Sequence, residues 1–341
     1  MTQPVAPAGG HALLVSKRFA AIAGADFAAL ARRLGADVGI VHLPDAQGLV
    51  AADVAARITC AFVDREIRFH PFHWTRFGET VTAAPHFQWL HLVSSGHNQH
   101  PYVPPLLARG AAVTTSTGAN AEPVALTAFT ALLMLARNFP QWLAGQRARE
   151  WRPMRGDAVP ADLRGQTIVI VGMGSIGCKL ATLCRMVGMK VIGVRRSPLR
   201  PDDPVDELHP PQALDALWPR AQWVALTCPL TAQTRDLVDA PMLARLPRGA
   251  RVINVSRGEV VVDAALIDAL RSGQLAAAFT DVYRQEPLPA DSPWWDAPNL
   301  VMSPHNASAS KGNDRRTADI FLRNFEHWWR GEPLENRVAA R

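Results

Sequence analysis

Thr167-Ile168-Val169-Ile170-Val171-Gly172-Met173-Gly174-Ser175-Ile176-Gly177 is the stretch on which the fold turns. Five β-branched residues give the pattern of a buried strand, which runs directly into Gly-x-Gly-x-x-Gly and then into a helical segment from Cys178 to Val187. In that context each glycine has its own task. Gly172 makes the tight turn, Gly174 lets the backbone approach a pyrophosphate, and Gly177 lets the helix pack on the strand. The N-terminal helix residues, Ser175 and Ile176 among them, offer free N–H groups to the phosphates. The next strand, Val191 to Val194, ends at Arg195-Arg196-Ser197, where an NAD-specific site carries an acid for the ribose 2′-hydroxyl. Two guanidinium groups and a hydroxyl suit a 2′-phosphate instead, so NADP(H) is the expected cofactor, with NAD(H) as the second choice.

Outward from this turn the chain repeats strand and helix patterns. On the N-terminal side the runs are Ala12 to Ser16, Phe27 to Leu34, Val38 to Leu43, Ile58 to Val63, Phe87 to Ser94 and Ala112 to Thr115, an alternation that implies a parallel sheet covered by helices. Thr117-Gly118-Ala119-Asn120 breaks the pattern before a long apolar helix, about Glu122 to Asn138, a candidate for crossing between domains. A linker rich in Pro, Arg and Gly follows, Glu150 to Leu163, and the alternation restarts at Gln166 and continues to about Pro304. The tail from Asp314 to Gly331 reads as a final helix with glycine at its stop position. With 341 residues, 48% of them hydrophobic, the chain has material for two cores.

Composition narrows the function. The formal charge of +6 comes from arginines, the only lysines being Lys17, Lys179, Lys190 and Lys311, with no basic run of the kind that tracks nucleic acid. Small anions are the expected partners, not a polynucleotide or a membrane. Cys60, Cys178, Cys184 and Cys228 show neither a metal nor a disulfide spacing, and the longest apolar run, Val124 to Ala136, is short for a membrane span. A cytoplasmic, metal-free protein is expected.

Further stretches carry a resemblance. Pro229-Leu230-Thr231, Val252-Ile253-Asn254-Val255-Ser256-Arg257-Gly258, Asp281-Val282-Tyr283-Arg284-Gln285-Glu286-Pro287-Leu288-Pro289 and Ser303-Pro304-His305-Asn306 follow the Gly-rich loop in order. Over Leu163 to Asn306 the chain resembles the D-isomer-specific 2-hydroxyacid dehydrogenases, a group that includes glyoxylate/hydroxypyruvate reductases. The resemblance implies an α/β protein of two flavodoxin/Rossmann-like, doubly wound parallel-sheet domains with the active site in the interdomain cleft. The substrate-binding domain would be 1–117 plus 305–341, and the NAD(P)-binding domain 118–304. It implies Arg257 for the substrate carboxylate and keto oxygen, His305 as proton donor and Glu286 as its partner. Asp281 would meet the nicotinamide carboxamide, Pro229 would line the cofactor site, and the turn Ser95-Gly96-His97, after Ser94, would bind substrate through backbone N–H groups. The chemistry of these residue types agrees. A guanidinium holds an α-keto carboxylate through paired charged hydrogen bonds, and an imidazole backed by a carboxylate is oriented for proton transfer. The apolar helix resembles the family's dimerisation element, so a homodimer is expected.

The chain also departs from the family pattern. His97-Asn98-Gln99-His100 replaces a common Val-Asp pair, Leu126-Thr127 stands where Glu followed by His or a similar residue is usual, and Trp294 replaces a smaller apolar residue. Trp294 would narrow the substrate mouth or pack between subunits. Arg68-Phe69-His70-Pro71-Phe72-His73-Trp74-Thr75-Arg76 has no counterpart. It reads as a surface loop, with contact to substrate as the other reading. Two further functions stay open at this point: a superfamily dehydrogenase acting on another small anion, and a non-catalytic NAD(P)-sensing protein of the same fold.

Overall fold

The computed structural model describes residues 3–44, 50–97 and 99–339. The chain divides into two units, Met1–Ala119 with Ser310–Arg341, and Asn120–Ala309.

The first unit runs β1 (His11–Val15), α1 (Lys17–Leu34), β2 (Val38–His42), α2 (Ala52–Ala55), β3 (Ile58–Val63), α3 (Arg65–Phe69), α4 (Pro71–Ala83), β4 (Trp89–Leu92), α5 (Val103–Ala108) and β5 (Ala112–Thr115). Its five strands are parallel, in the order β2-β1-β3-β4-β5. The four strands β1, β3, β4 and β5 are buried along their whole length, as strands covered on both faces must be. One face packs Leu14, Ala61, Phe77, Val81, Leu90 and Leu106. The other packs Leu13, Phe19, Phe27, Phe62 and Trp89 against the C-terminal helix.

The second unit contains α6 (Ala121–Ala136), α7 (Phe139–Ala148), β6 (Thr167–Val171), α8 (Ser175–Met186), β7 (Lys190–Val194), β8 (Glu207–His209), α9 (Leu214–Leu217), β9 (Trp223–Leu226), α10 (Ala240–Arg245), β10 (Ala250–Asn254), α11 (Asp263–Arg271), β11 (Leu275–Thr280) and β12 (Leu300–Met302). These seven strands are also parallel, in the order β12-β11-β10-β9-β6-β7-β8. Read from β6, this is the doubly wound dinucleotide-binding order extended by one strand. The buried face of α6 is rich in alanine, Ala121, Ala125, Ala128, Ala131 and Ala136, and small side chains let it share a core with Leu180, Ala181 and Cys184 of α8.

The chain then returns to the first unit as α12 (Asn313–Arg330), which ends on Gly331 at φ 70°, the left-handed stop expected of that glycine. The ring of Phe321 lies flat against Phe62 and Trp89, with centroids 5.2 Å away in both cases. Burying such a ring stabilises by roughly 1.5–3 kcal/mol, enough to explain why this helix belongs to the first sheet.

One expectation fails in the first unit. Arg68 to Arg76 is not a surface loop but the end of α3 and most of the first half of α4. The Asp64 carboxylate caps α3 by accepting from the Ile67 N–H at 3.0 Å, and α4 opens with His70 at its cap and Pro71 in its first turn. Both are ordinary helix-start devices, hidden in the sequence by the aromatic and histidine content around them.

Candidate active site

Gly172 sits at φ 107°, and a Cβ there would meet Cys228 N at 2.5 Å. The turn after β6 therefore presses on the turn after β9, at the point where strand order reverses. A Cβ on Gly177 would meet Gly172 O at 2.2 Å, so the helix packs as tightly as its glycine allows. A Cβ on Gly174, by contrast, would meet nothing within 4 Å. No side chain caps α8, which leaves the N–H groups of its first turn available. Gly174 and Ser175 are exposed, and Ile176 is half-buried behind them. Tight where the chain meets itself, open where a phosphate would approach, and rich in free donors, the turn fits a nicotinamide dinucleotide. Thr227, which no motif singles out, ties the two turns together by donating from Oγ1 to Gly172 O at 2.6 Å. Pro229 follows on the same edge and is exposed.

Beyond β7 the two arginines differ. Arg195 donates from Nη1 to Asp203 Oδ1 at 2.7 Å, pairs also through Nη2 with Asp203 Oδ2, and reaches Ser197 O from Nε at 3.1 Å. Its guanidinium closes the 195–203 loop. Arg196 and Ser197 are exposed.

On the same sheet, Arg257, Glu286 and His305 follow β10, β11 and β12, three neighbouring strands. Asn254, the last residue of β10, shapes the first turn: its Oδ1 accepts from Ser256 N–H at 3.0 Å and its Nδ2 donates to Arg257 O at 3.1 Å. Gly258 then lies so close to the next loop that a Cβ would be 1.9 Å from Tyr283 C. That approach sets the end of β10 against the segment carrying Glu286. Glu286 is held at both oxygens. Oε1 accepts from Tyr283 N–H at 2.9 Å, and Oε2 stands 2.6 Å from His305 Nδ1. A carboxylate only accepts, so Nδ1 carries the proton in this pair. His305 itself has φ 54°, a left-handed conformation uncommon for a residue with a side chain, and donates its N–H to Asp281 O at 2.8 Å. Its ring, the Glu286 carboxylate and the Arg257 side chain are all solvent-accessible.

Asp281 is buried below them. Its Oδ1 accepts from Ser303 Oγ at 2.5 Å, Asn306 N–H at 2.8 Å and Ala307 N–H at 3.0 Å. It thus braces the turn that presents His305, a task the sequence did not reveal. Oδ2 accepts one longer bond, from Ala307 N–H at 3.1 Å. Thr127 braces the same turn from α6, donating to Ala307 O at 3.2 Å. Trp294 neither narrows a mouth nor stands at the surface. It is 4% exposed, bonded to Asp263 and packed edge-on against Tyr283 within its own unit.

In the first unit the turn after β4 is built differently. Ser94 Oγ donates to Gly96 O at 2.6 Å and stands 3.0 Å from His100 Nε2, while His100 Nδ1 stands 3.0 Å from the Tyr102 hydroxyl. Burial holds the His100 pKa down to about 4, so the ring is neutral near pH 7. The backbone N–H groups of Ser95, Gly96 and His97 have no partner among the described residues, and a Cβ on Gly96 would meet open space. Such a row of free N–H groups can receive an anion. Asn98 lies outside the described residues. Among the described residues no cluster of metal-ligating side chains occurs, and no helix is long and apolar enough to cross a membrane.

The family model for the D-isomer specific 2-hydroxyacid dehydrogenase NAD binding domain matches residues 129–307. The glyoxylate reductase of Korarchaeum cryptofilum is 35% identical over 239 residues, covering 67% of this chain and 70% of that protein. The glyoxylate/hydroxypyruvate reductase B of Yersinia pestis (strain Pestoides F) is 33% identical over 259 residues, covering 75% and 78%. Among solved structures, the D-isomer specific 2-hydroxyacid dehydrogenase of Xanthobacter autotrophicus Py2, crystallised with NADPH and MES, matches with a TM-score of 0.72 and 29% identity, covering 97% of this chain and 98% of that one. With a dinucleotide cradle, an Arg, Glu and His set on one sheet edge and these relatives, the chain belongs to the D-isomer-specific 2-hydroxyacid dehydrogenase family and is an oxidoreductase of CH–OH groups that uses a nicotinamide cofactor.

Proposed function

We propose that this enzyme reduces small 2-keto acids of the glyoxylate or hydroxypyruvate type to D-2-hydroxy acids, with NADPH as the preferred donor. The observation that carries the reading is the His305–Glu286 pair at 2.6 Å, with Glu286 fixed from behind by the Tyr283 N–H. Glu286 occupies Nδ1, so Nε2 of His305 is the nitrogen that gives its proton to the substrate oxygen. In the reverse direction the same pair acts as a base. Arg257 uses one donor on its neighbour, Nη1 to Ser256 O at 2.6 Å, and keeps the rest of its fork for the substrate carboxylate and keto oxygen. The free N–H row of Ser95, Gly96 and His97 is a second carboxylate-binding element. When bound, the nicotinamide supplies the hydride. Asp281 Oδ2 would accept from its carboxamide, and Gly172, Gly174, Ser175, Ile176, Gly177 and Pro229 would hold the rest of the dinucleotide. Asn120–Ala309 is the NAD(P)-binding domain in this reading, and the first unit the substrate-binding domain.

Arg196 and Ser197 are the groups for the 2′-phosphate, on a loop kept in shape by the Arg195–Asp203 clasp. Leu126, Leu133, Phe139, Trp142 and Leu143 are exposed on α6 and α7, and a homodimer would cover them. Four unpaired cysteines suit a reducing, cytoplasmic setting. The test is oxidation of NADPH and NADH against glyoxylate, hydroxypyruvate and pyruvate, by the wild type and Arg196→Ala. We expect NADPH to be preferred and the substitution to raise KM for NADPH by about 10–100-fold with little change for NADH, consistent with one lost charged phosphate contact. Preference for NADH, or indifference to Arg196→Ala, would overturn the cofactor assignment.

A further inference from the structure

Arg68, on α3, is placed unlike four other arginines of its unit. Arg18, Arg33, Arg315 and Arg323 each pair with an acid, Asp314, Glu326, Asp26 and Glu335 respectively. Arg68 has no carboxylate partner among the described residues. Its guanidinium is held by its faces, 4.5 Å from the centroid of Trp74 and 5.6 Å from that of Phe69, and by one edge, Nη2 donating to the Gln99 side-chain oxygen at 2.7 Å. The acids of the same stretch are turned elsewhere: Glu66 accepts from Arg18 N–H at 3.0 Å, and Asp64 from Ile67 N–H and the Ser16 hydroxyl. Rings on the faces and a neutral amide on one corner fix the plane while leaving edge N–H groups free, the arrangement that serves an incoming carboxylate or phosphate.

The position of this group is set by the sheet. β3 and β4 are parallel neighbours, so α3, which follows β3, and the Ser94–Gly96 turn, which follows β4, leave the same edge. Side chains link them. Gln99, bonded to Arg68, lies three residues beyond Gly96. The ring of Trp74 lies 4.8 Å from that of His100, whose Nε2 is 3.0 Å from Ser94 Oγ. Burial first, and then the Arg68 charge, keep His100 neutral, so that ring adds no positive charge to that of Arg68.

We propose that Arg68 is a specificity residue that selects 2-keto acids bearing a second anionic group, a terminal carboxylate or phosphate, over glyoxylate-sized monoanions. This rests on the reading of Ser95, Gly96 and His97 as the site of the first carboxylate. The second anion meets the free edge of Arg68, with Trp74 and Gln99 as positioning residues that keep the fork in plane.

The test compares kcat/KM for glyoxylate with that for oxaloacetate, 2-ketoglutarate and a 2-keto acid with a terminal phosphate, in the wild type, Arg68→Met and Gln99→Leu. Methionine retains an aliphatic stem against Trp74 and removes the charge. The wild-type ratio of dianion to glyoxylate should be roughly 100, and Arg68→Met should bring it near unity, with Gln99→Leu between them. The dianion with the larger Arg68-dependent ratio identifies carboxylate or phosphate as the second group. A ratio unaltered by Arg68→Met, or a wild type that favours glyoxylate, overturns the proposal while leaving the keto-acid reduction in place. If no keto acid turns over, calorimetric titration of the same dianions into the protein decides. Binding weakened by Arg68→Met sustains Arg68 as an anion site, and binding indifferent to it removes that assignment. Gln99→Leu serves the same comparison should Arg68→Met not fold.

Discussion

Between β6 and β9, and again between β1 and β3, the order of strands reverses, and in open α/β sheets such reversals leave a crevice at the strand ends. The two crevices are treated in opposite ways. At β6 and β9 the chain places glycines, close backbone contact behind Gly172 and open space in front of Gly174, with the first turn of α8 uncapped. At β1 and β3 it places side chains. Ser16 caps α1 by accepting from Phe19 N–H at 3.0 Å and donates to Asp64, whose pKa burial raises, while Arg18 bridges to Asp314 at the start of α12. What remains there is a cavity of about 10 Å³, lined by Arg18, Phe19, Ile22, Phe62, Asp64, Asp314, Thr317 and Ala318. That is room for a single water at most. The same topological device becomes a ligand site where donors are left unused, and a structural joint where they are satisfied internally.

The contrast can be broken hardest at Gly172. Gly172→Ala must adopt a positive φ and push its Cβ into the Cys228 backbone. We expect cofactor affinity, measured by fluorescence titration with NADPH, to fall at least 100-fold, alongside a loss of stability of roughly 2–4 kcal/mol. Unaltered cofactor binding would separate the turn from the site.

A second, intermediate effect concerns acid. His91 in the first unit is fully buried between Thr114 and Ser116, and burial holds its pKa down to about 3. His100 is held to about 4, and burial lowers His11 as well. The second unit's histidines, His209 and His305, are part-buried and exposed. Above pH ~6.5 these three rings are neutral in both the folded and unfolded chain and contribute nothing. As pH falls below that value the unfolded chain takes up protons that the folded one refuses, so stability is lost until the folded pKa is reached, by roughly 2 kcal/mol per deeply buried ring at pH 5. Hydrogen exchange at pH 7 and pH 5, corrected for intrinsic rates, should show protection falling in β1, β3 and β4 before β6, β9 and β10. Equal losses in both sheets would contradict the assignment of acid sensitivity to the first unit.

At the β1–β3 crevice the expected effect is smaller. Ser16→Ala removes the α1 cap and the Asp64 partner, and should cost about 1–2 kcal/mol in thermal or urea unfolding. KM for NADPH should stay at the wild-type value, since this crevice is filled by its own side chains. A rise in KM comparable to that of Arg196→Ala would mean that the first crevice bears on the cofactor after all.

What is legible in the sequence alone follows the same division. Strands buried on both faces, such as Ile58–Val63 and Thr167–Val171, announce themselves as apolar runs, and the glycine spacing after β6 states its own purpose. Arg257, Glu286 and His305 were found by resemblance, and the structure sets them on adjoining strand ends of one sheet. What the sequence hid was support. Asp281 bracing the His305 turn, Thr127 reaching it from 180 residues away, and the Arg195 clasp on Asp203 are contacts between distant or oppositely signed residues with no periodic signal. The α3–α4 segment was hidden for another reason, its cap residues Asp64 and His70 being embedded among aromatics that break the helical pattern.

In the proposed reaction His305, aligned by Glu286, donates the proton in reduction of a 2-keto acid. This role is tested most directly by NADPH oxidation with glyoxylate or hydroxypyruvate, comparing wild type with His305→Asn and Glu286→Gln. We expect turnover by the wild type, a fall in kcat of about 10²–10⁴ in His305→Asn, and a smaller fall in Glu286→Gln. Undiminished turnover in His305→Asn, or a wild type inert toward every 2-keto acid offered, would contradict it.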